Sequence, residues 1–364
     1  MSVACWEWAF NMIGRIALLL LALVLLPISA GAQSDPPRLT LYAAFDAQRL
    51  APVLAEFQRH SGITVTLVSE DPDLLLGRLL SEGAASPADL VLVPALARLE
   101  RAAVAGLLQP VAQAEIEQAI PAHLRDPQAR WFGLAVFARA IAFVSEKVKP
   151  GEVTTYADLA KPGFFGRLCL PPATRTSSRA LVAAMINQKG EENTSAWMRA
   201  VGANAVKLPI EITAGKPLAD GDDRALVRAL AAGVCDVAVV GSRSMARLAD
   251  RGDDADKAAL DKLGLVWPNN AGKGTEVDII GGAVPTASPP ARREALGKLL
   301  AWLASDSGQR LLAESVWAFP AKPGVPLSNP VTRWGPFRSD PTPLHALIPH
   351  LATSSRLTDQ ATWP

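Results

Sequence analysis

Two short stretches gather side chains suited to holding an anion. The first reads Ala173, Thr174, Arg175, Thr176, Ser177, Ser178, and the second Gly241, Ser242, Arg243, Ser244, so each sets an arginine among hydroxyls. Each follows an apolar run of strand character, RLCL at 167–170 and CDVAVV at 235–240, and each precedes a helical pattern, near 178–188 and 243–250. A helix start carries unpaired N–H groups and the positive end of the helix dipole, which makes it the wrong end for a lone cation. A bound anion resolves that conflict. A guanidinium grips carboxylate or phosphate through two parallel hydrogen bonds, and neighbouring hydroxyls complete the shell. Thr174, Arg175, Ser177, Ser242, Arg243 and Ser244 are therefore the candidate ligand contacts. The plainer reading is that Thr176, Ser177 and Ser242 cap helices while the arginines face solvent.

Facing them, the earlier strand-to-helix turns hold Ala44 and Asp46 after LTLYAAF at 39–45, and Ala95 after DLVLVPA at 89–95. Asp46 is suited to pair with an amino group or accept from a hydroxyl. Arg139, inside WFGLAVFARAIAFV at 131–144, either touches the ligand or ties the two halves together.

No enzyme signature competes with this reading. GSRSM at 241–245 lacks the paired glycines that frame a nucleophilic serine. NAGKGT at 270–275 has the wrong spacing for a phosphate loop and precedes a strand pattern, so it reads as a turn. His60, His123, His345 and His350 never fall in a metal-ligand spacing. A non-enzymatic binding protein without cofactor or resident metal is expected.

The elements that must position these residues alternate between strand and helix. Leu50, Val53, Leu54 and Phe57 repeat at helical spacing up to Gly62, and Ile63, Val65 and Leu67 then alternate as a strand. A second unit runs from DLVLVPA into a helix bearing Leu96, Leu99, Ala103 and Leu107. Such units predict α/β lobes with largely parallel sheets. The run at 131–144 is too long for one ordinary strand and predicts a first crossing between lobes; TEVDIIGGAVP at 275–285 carries the chain back. The helix with Leu296, Leu299, Leu300 and Leu303 then closes the first lobe, and the proline-rich last forty or so residues wrap the surface. The expected domains are a leader at 1–32, lobe 1 at 37–138 and 275–330, lobe 2 at 139–274, and a helical, proline-rich segment at 331–364 across both.

A chain of 364 residues, 49 % hydrophobic, has the material for two lobes. Lys plus Arg is 36 against 35 for Asp plus Glu, so no basic field exists to hold nucleic acid. Near the start, Arg15 precedes an apolar run at 16–26, Pro27, and the small residues Ala30, Gly31 and Ala32. This predicts a cleaved signal peptide, too short for the roughly 20 residues of a membrane span, with Met1 or Met12 as the start. The protein is expected in the periplasm. Cys5 leaves with the leader, and Cys169 and Cys235 remain either as a disulfide or as two buried thiols.

Several segments resemble one family: AGLLQP at 105–110, WFGL at 131–134 with Arg139, TTYADLAKP at 154–162, AAGVCDVAVV at 231–240, GKGTEV at 272–277 and SDSGQRLLAE at 305–314. Together these are similar to the ferric-iron-binding periplasmic proteins of bacterial ABC importers. The resemblance implies a two-lobe type II periplasmic binding fold, transferrin-like, with a hinge of two crossing strands. It also implies a monomer that passes a small solute to an inner-membrane ABC permease. Members of that family hold iron through two adjacent tyrosines in the turn after the strand that here reads CDVAVV, where this chain has Arg243 and Ser244. The family's histidine or tyrosine after the first strand falls near Asp46, its acidic residue after the second near Ala95, and its anion-holding helix start at 173–175. Tyr42 and Tyr156 are the only tyrosines in the sequence. A trivalent cation prefers anionic oxygen donors, so the reading drawn from these positions is an anionic or zwitterionic solute, with ferric iron or a ferric chelate as the alternative cargo and a periplasmic sensor subunit or an exported enzyme on the same fold as further alternatives.

Overall fold

A computed structural model of the chain describes residues 38–213, 221–328 and 330–361; the leader expected at 1–32 lies outside the described residues. The chain begins with β1 (Arg38–Ala43), α1 (Ala47–Ser61), β2 (Thr64–Ser69), α2 (Pro72–Glu82), β3 (Leu90–Pro94) and α3 (Leu96–Val104). Helical spacing puts Leu50, Val53 and Phe57 on the inward face of α1, where all three are buried. Asp46 starts this helix by accepting hydrogen bonds from the Gln48 and Arg49 N–H groups at 2.7 and 3.3 Å. Gly62 ends it at φ 71°, a left-handed conformation that a side chain would strain. Losing a cap such as Asp46 costs about 1 kcal/mol. Each helix returns the chain to the same edge, so β1 pairs in parallel with both β2 and β3.

The chain continues through β4 (Leu108–Gln109), α4 (Ala114–Ala119) and β5 (Phe132–Val144), then β6 (Leu168–Cys169), α5 (Thr176–Lys189), α6 (Glu191–Asn204) and α7 (Ile210–Thr213). After these come α8 (Arg224–Ala231), β7 (Val237–Gly241), α9 (Ser242–Arg251), α10 (Asp254–Asp261), β8 (Leu263–Val266) and β9 (Val277–Pro285). The last elements are α11 (Arg293–Ala304), α12 (Asp306–Ser315), β10 (Phe319–Pro320) and α13 (Leu351–Asp359). The strands follow the order β2-β1-β3-β9-β5-β7-β6.

β5 is the element that links the two halves. Up to Ala138 it pairs with β9, and from Arg139 onward it pairs with β7 and β8. The sheets are mixed rather than largely parallel. The chain leaves the first half along β5 and returns along β9, so those two strands run antiparallel to each other and to their neighbours, while β-helix-β units stay parallel. Within β9, a Cβ on Gly281 would fall 2.1 Å from Leu99 Cδ1, so α3 packs directly on the strand's backbone there.

One buried cluster joins Leu39, Phe57, Trp131, Ile280 and Leu299. Two others lie beyond Ala138: Tyr156, Leu168, Val182 and Val239 on one side of β7, and Ala140, Leu226, Val240 and Leu248 on the other. Cys169 and Cys235 form a disulfide with 5.8 Å between Cα atoms, which settles the choice left open by the sequence. It closes a loop of about 67 residues, worth roughly 4 kcal/mol in the chain-entropy picture. The proline-rich C-terminal stretch ends in helix: Leu344 and Leu347 join the first cluster, and Leu357 packs on the second.

Candidate functional site

Arg243 lies in the first turn of α9, with its guanidinium 5.2 Å from the Phe45 ring and 5.6 Å from the Phe137 ring. Its Nε donates to the Val316 carbonyl at 2.9 Å. Around it a cavity of about 280 Å³ is lined by Ala44, Asp46, Arg49, Arg247 and Trp317 among others. Arg247 follows Arg243 by one helical turn, a spacing legible in the sequence, and its Nη2 lies 2.9 Å from Asp222 Oδ1. Arg49 stacks 4.0 Å over Trp317, donates to the Ser315 and Glu314 carbonyls at 3.0 and 2.7 Å, and reaches Asp250 at 3.1 Å. Nothing in the local sequence marks Arg49 or Trp317 as partners, because their closeness arises only when α1 and α12 pack together. Three guanidinium groups and one carboxylate, Asp46, thus line this opening.

Arg175 takes a different place. It is 5 % exposed, and its Nη1 meets Asp223 Oδ1 at 2.7 Å while Nη2 donates to the Asp222 carbonyl at 3.0 Å. The other Asp223 oxygen accepts the Gly241 N–H at 2.7 Å, and the Asp223 N–H donates to Ser244 Oγ at 2.8 Å. Ser242 Oγ accepts the Ala138 N–H at 3.1 Å, at the point where β5 changes partners. So neither Ser242 nor Ser244 caps α9, whose start at Gly241 has no side-chain cap, and α5 starts at Arg175 likewise uncapped by a side chain. The expectation that Arg175 and Arg243 act together on one ligand meets a structure in which Arg175 holds the loop before α8 to the end of β7. The reason is a carboxylate 48 residues away in sequence that shares its burial.

The remaining candidates separate further. Ala44 and Asp46 stand at the Arg243 opening, where Asp46 also caps α1. Ala95 starts α3 at φ 79° and donates its N–H to the Ile279 carbonyl at 2.8 Å, away from that opening. Thr174 is exposed on the turn before α5. Ser177 and Arg139 instead line a second, deeper cavity beside the crossing strands. The Tyr42 hydroxyl donates a hydrogen bond to Glu82 and the Tyr156 hydroxyl one to the Arg139 carbonyl, and burial raises the pKa of both phenols. Neither phenol reaches the Arg243 cavity, and no cluster of three or more His, Cys, Asp or Glu suited to a metal occurs among the described residues.

Comparison with known proteins places this geometry. Residues 53–338 match the family model described as bacterial extracellular solute-binding protein. The chain belongs to that family. Iron uptake protein A1 of Synechocystis sp. is 34 % identical to this solute-binding protein over 334 residues, which cover 92 % of this chain and 89 % of that protein. The solved structure of Trichodesmium FutA in complex with iron and citrate superimposes with a TM-score of 0.83 at 31 % identity, covering 90 % of this chain and all of that one, 100 %. The open ferric iron-binding protein A of Mannheimia haemolytica gives 0.80 at 29 % identity, covering 89 % and 98 %. This solute-binding protein therefore has the two-lobe type II periplasmic fold and is a transport-type receptor, not an enzyme.

Proposed function

We propose that this protein is the periplasmic receptor of an ABC importer and that it captures iron as a preformed, negatively charged chelate with carboxylate ligands. Lobe 1, residues 37–138 and 275–330, and lobe 2, residues 139–274, close over the cargo by bending at the crossing strands, and an inner-membrane permease reads the closed form. The relatives named for iron uptake and ferric iron support the metal. The observation that supports the form of the cargo is the Arg243 opening, lined by three guanidinium groups and reached by neither Tyr42 nor Tyr156, whereas a bare ferric ion favours anionic oxygen donors. Arg243 would take the chelate's carboxylates in two parallel hydrogen bonds, and Arg247 and Arg49 would add positive potential around them. Asp46 at the rim would accept a chelate hydroxyl.

The charge of Arg243 also favours a second reading, an organic anion without metal. Calorimetry and melting of the metal-stripped protein with ferric citrate, citrate alone and freshly diluted ferric chloride separate these. The proposal expects ferric citrate to raise the melting temperature most, since only a ligand bound by the folded state does so. Equal responses to citrate and ferric citrate would favour the metal-free anion. A response to ferric chloride alone, with a visible charge-transfer band, would overturn both.

A further inference from the structure

The deeper cavity beside the crossing strands is the second feature of this molecule built for a ligand. It measures about 50 Å³, against roughly 10–15 Å³ for one water on the same scale. Phe137 pairs with Asp278 and Ala138 with Val277, so the next residues outward, Arg139 and Glu276, sit opposite each other on the face that carries Phe137 and Asp278. All four line the cavity together with Ser177 in the first turn of α5. Leu181 of α5 and Leu344 and Leu347 of the C-terminal segment make its apolar walls.

The charges here do not cancel among themselves. Lys273 pairs with Asp340 at 3.0 Å, and Asp278 accepts the Leu96 and Ile279 N–H groups, each at 2.8 Å. That leaves Arg139 and Glu276. Glu276 is 8 % exposed; its Oε1 accepts from Gln188 Nε2 at 2.7 Å, and its Oε2 has no hydrogen-bond partner. The neighbouring Tyr156 hydroxyl already donates to the Arg139 carbonyl at 2.8 Å. No hydrogen bond or short ion pair holds the Arg139 guanidinium among the described residues, and its charge acts at longer range on the buried Asp278 carboxylate. A buried acceptor without a donor is costly, and a cation and an anion flanking an apolar space call for a molecule bearing both opposite charges.

We infer that this hinge cavity is a binding site for a small zwitterion of amino-acid type with a short apolar side chain. Its carboxylate meets Arg139 and the start of α5, its ammonium group donates to Glu276 Oε2, and its side chain lies against Leu181, Leu344 and Leu347. Because the cavity lies between strands and helices of both halves, the ligand would bind as they close. It is a different place from the Arg243 opening, and the two readings stand or fall separately.

Isothermal titration at pH 8 with L-valine tests this, beside isovalerate, which lacks the ammonium group, and isobutylamine, which lacks the carboxylate. The expected result is saturable binding of L-valine, with each analogue at least tenfold weaker. Glu276→Gln and Arg139→Met should each weaken L-valine at least tenfold, while Glu276→Gln leaves the ferric citrate response intact and so reports a folded protein. The inference is overturned if L-valine and a panel of other small L-amino acids give no saturable heat. It is equally overturned if L-valine binds Glu276→Gln as tightly as the unaltered protein.

Discussion

Arg175 and Arg243 occupy the same station in two strand-to-helix units, each among hydroxyls and each at a helix start. One is 5 % exposed and locked to Asp223 at 2.7 Å; the other looks across the cleft at Phe45, Phe137 and the Val316 carbonyl. The difference is decided far from either turn. Asp223 precedes α8, and the packing of that helix on β7 brings its carboxylate under α5. The same residue at the same station thus takes its setting from distant parts of the chain, a buried carboxylate for Arg175 and two aromatic rings with a backbone carbonyl for Arg243.

The sharpest way to break this comparison is Asp223→Ala. It would leave the Arg175 charge buried without its carboxylate and the Gly241 N–H without its acceptor, and should cost about 3–5 kcal/mol in urea unfolding. A loss no larger than that from Arg243→Met would erase the distinction. Glu276 gives the converse case, a buried charge without a counter-ion. Burial raises its carboxyl from 4.5 to about 7, with Asp340 adding to the rise and Gln188 and Lys273 opposing it. A raised folded-state value means the contribution to stability is full below pH 4.5 and is lost as pH climbs through 7. Glu276→Gln should therefore flatten the decline of melting temperature over that window and gain on the order of 3 kcal/mol at pH 8 relative to the parent. An unchanged pH profile would refute this.

Arg243→Met comes next. Unfolding free energy should move by less than about 1 kcal/mol, while ferric citrate affinity falls by about 2 kcal/mol or more, roughly thirtyfold. Titration calorimetry beside urea unfolding reads both. The smallest effect belongs to Arg49→Lys, which keeps the charge but loses the fork that reaches Asp250 and two carbonyls at once. A partly exposed pair of this kind is worth about 0–1 kcal/mol, so urea unfolding should shift by no more than that, while the salt dependence of ligand affinity, which follows the retained charge, stays as in the parent.

Much of the fold was legible because local periodicity reports it. The spacing of Leu50, Val53 and Phe57 and the turn at Gly62 gave the buried face and the end of α1, and the length of the run at 131–144 marked β5 as a strand serving two sheets. The mixed pairing was not legible, since strand direction depends on the route of the chain between elements. The site was read in half. Arg243, Ala44 and Asp46, named from their turns, line one cavity, whereas Arg175 and Ser244 are held by Asp223, and Ser242 by the Ala138 N–H. Glu276 carried no signal at all: in GKGTEV it looks like any polar residue at the end of a turn, and only packing against α5 and the C-terminal segment buries it. Ser242, taken as a possible cap, failed for a similar reason, because its oxygen accepts the Ala138 N–H of another element, while the helix at Thr176 starts from Arg175 without a side-chain cap.

Across the cleft mouth, α9 is joined to the opposite half by Arg49 to Asp250, Trp317 to Asp250 and Arg243 to the Val316 carbonyl. These fasteners are ionic and polar, so dissolved electrolyte competes with them directly, while the apolar cores behind them are indifferent to it or strengthened. Concentrated electrolyte should therefore loosen this seam well before it loosens either core, which makes ionic strength the gentlest lever for parting the two halves.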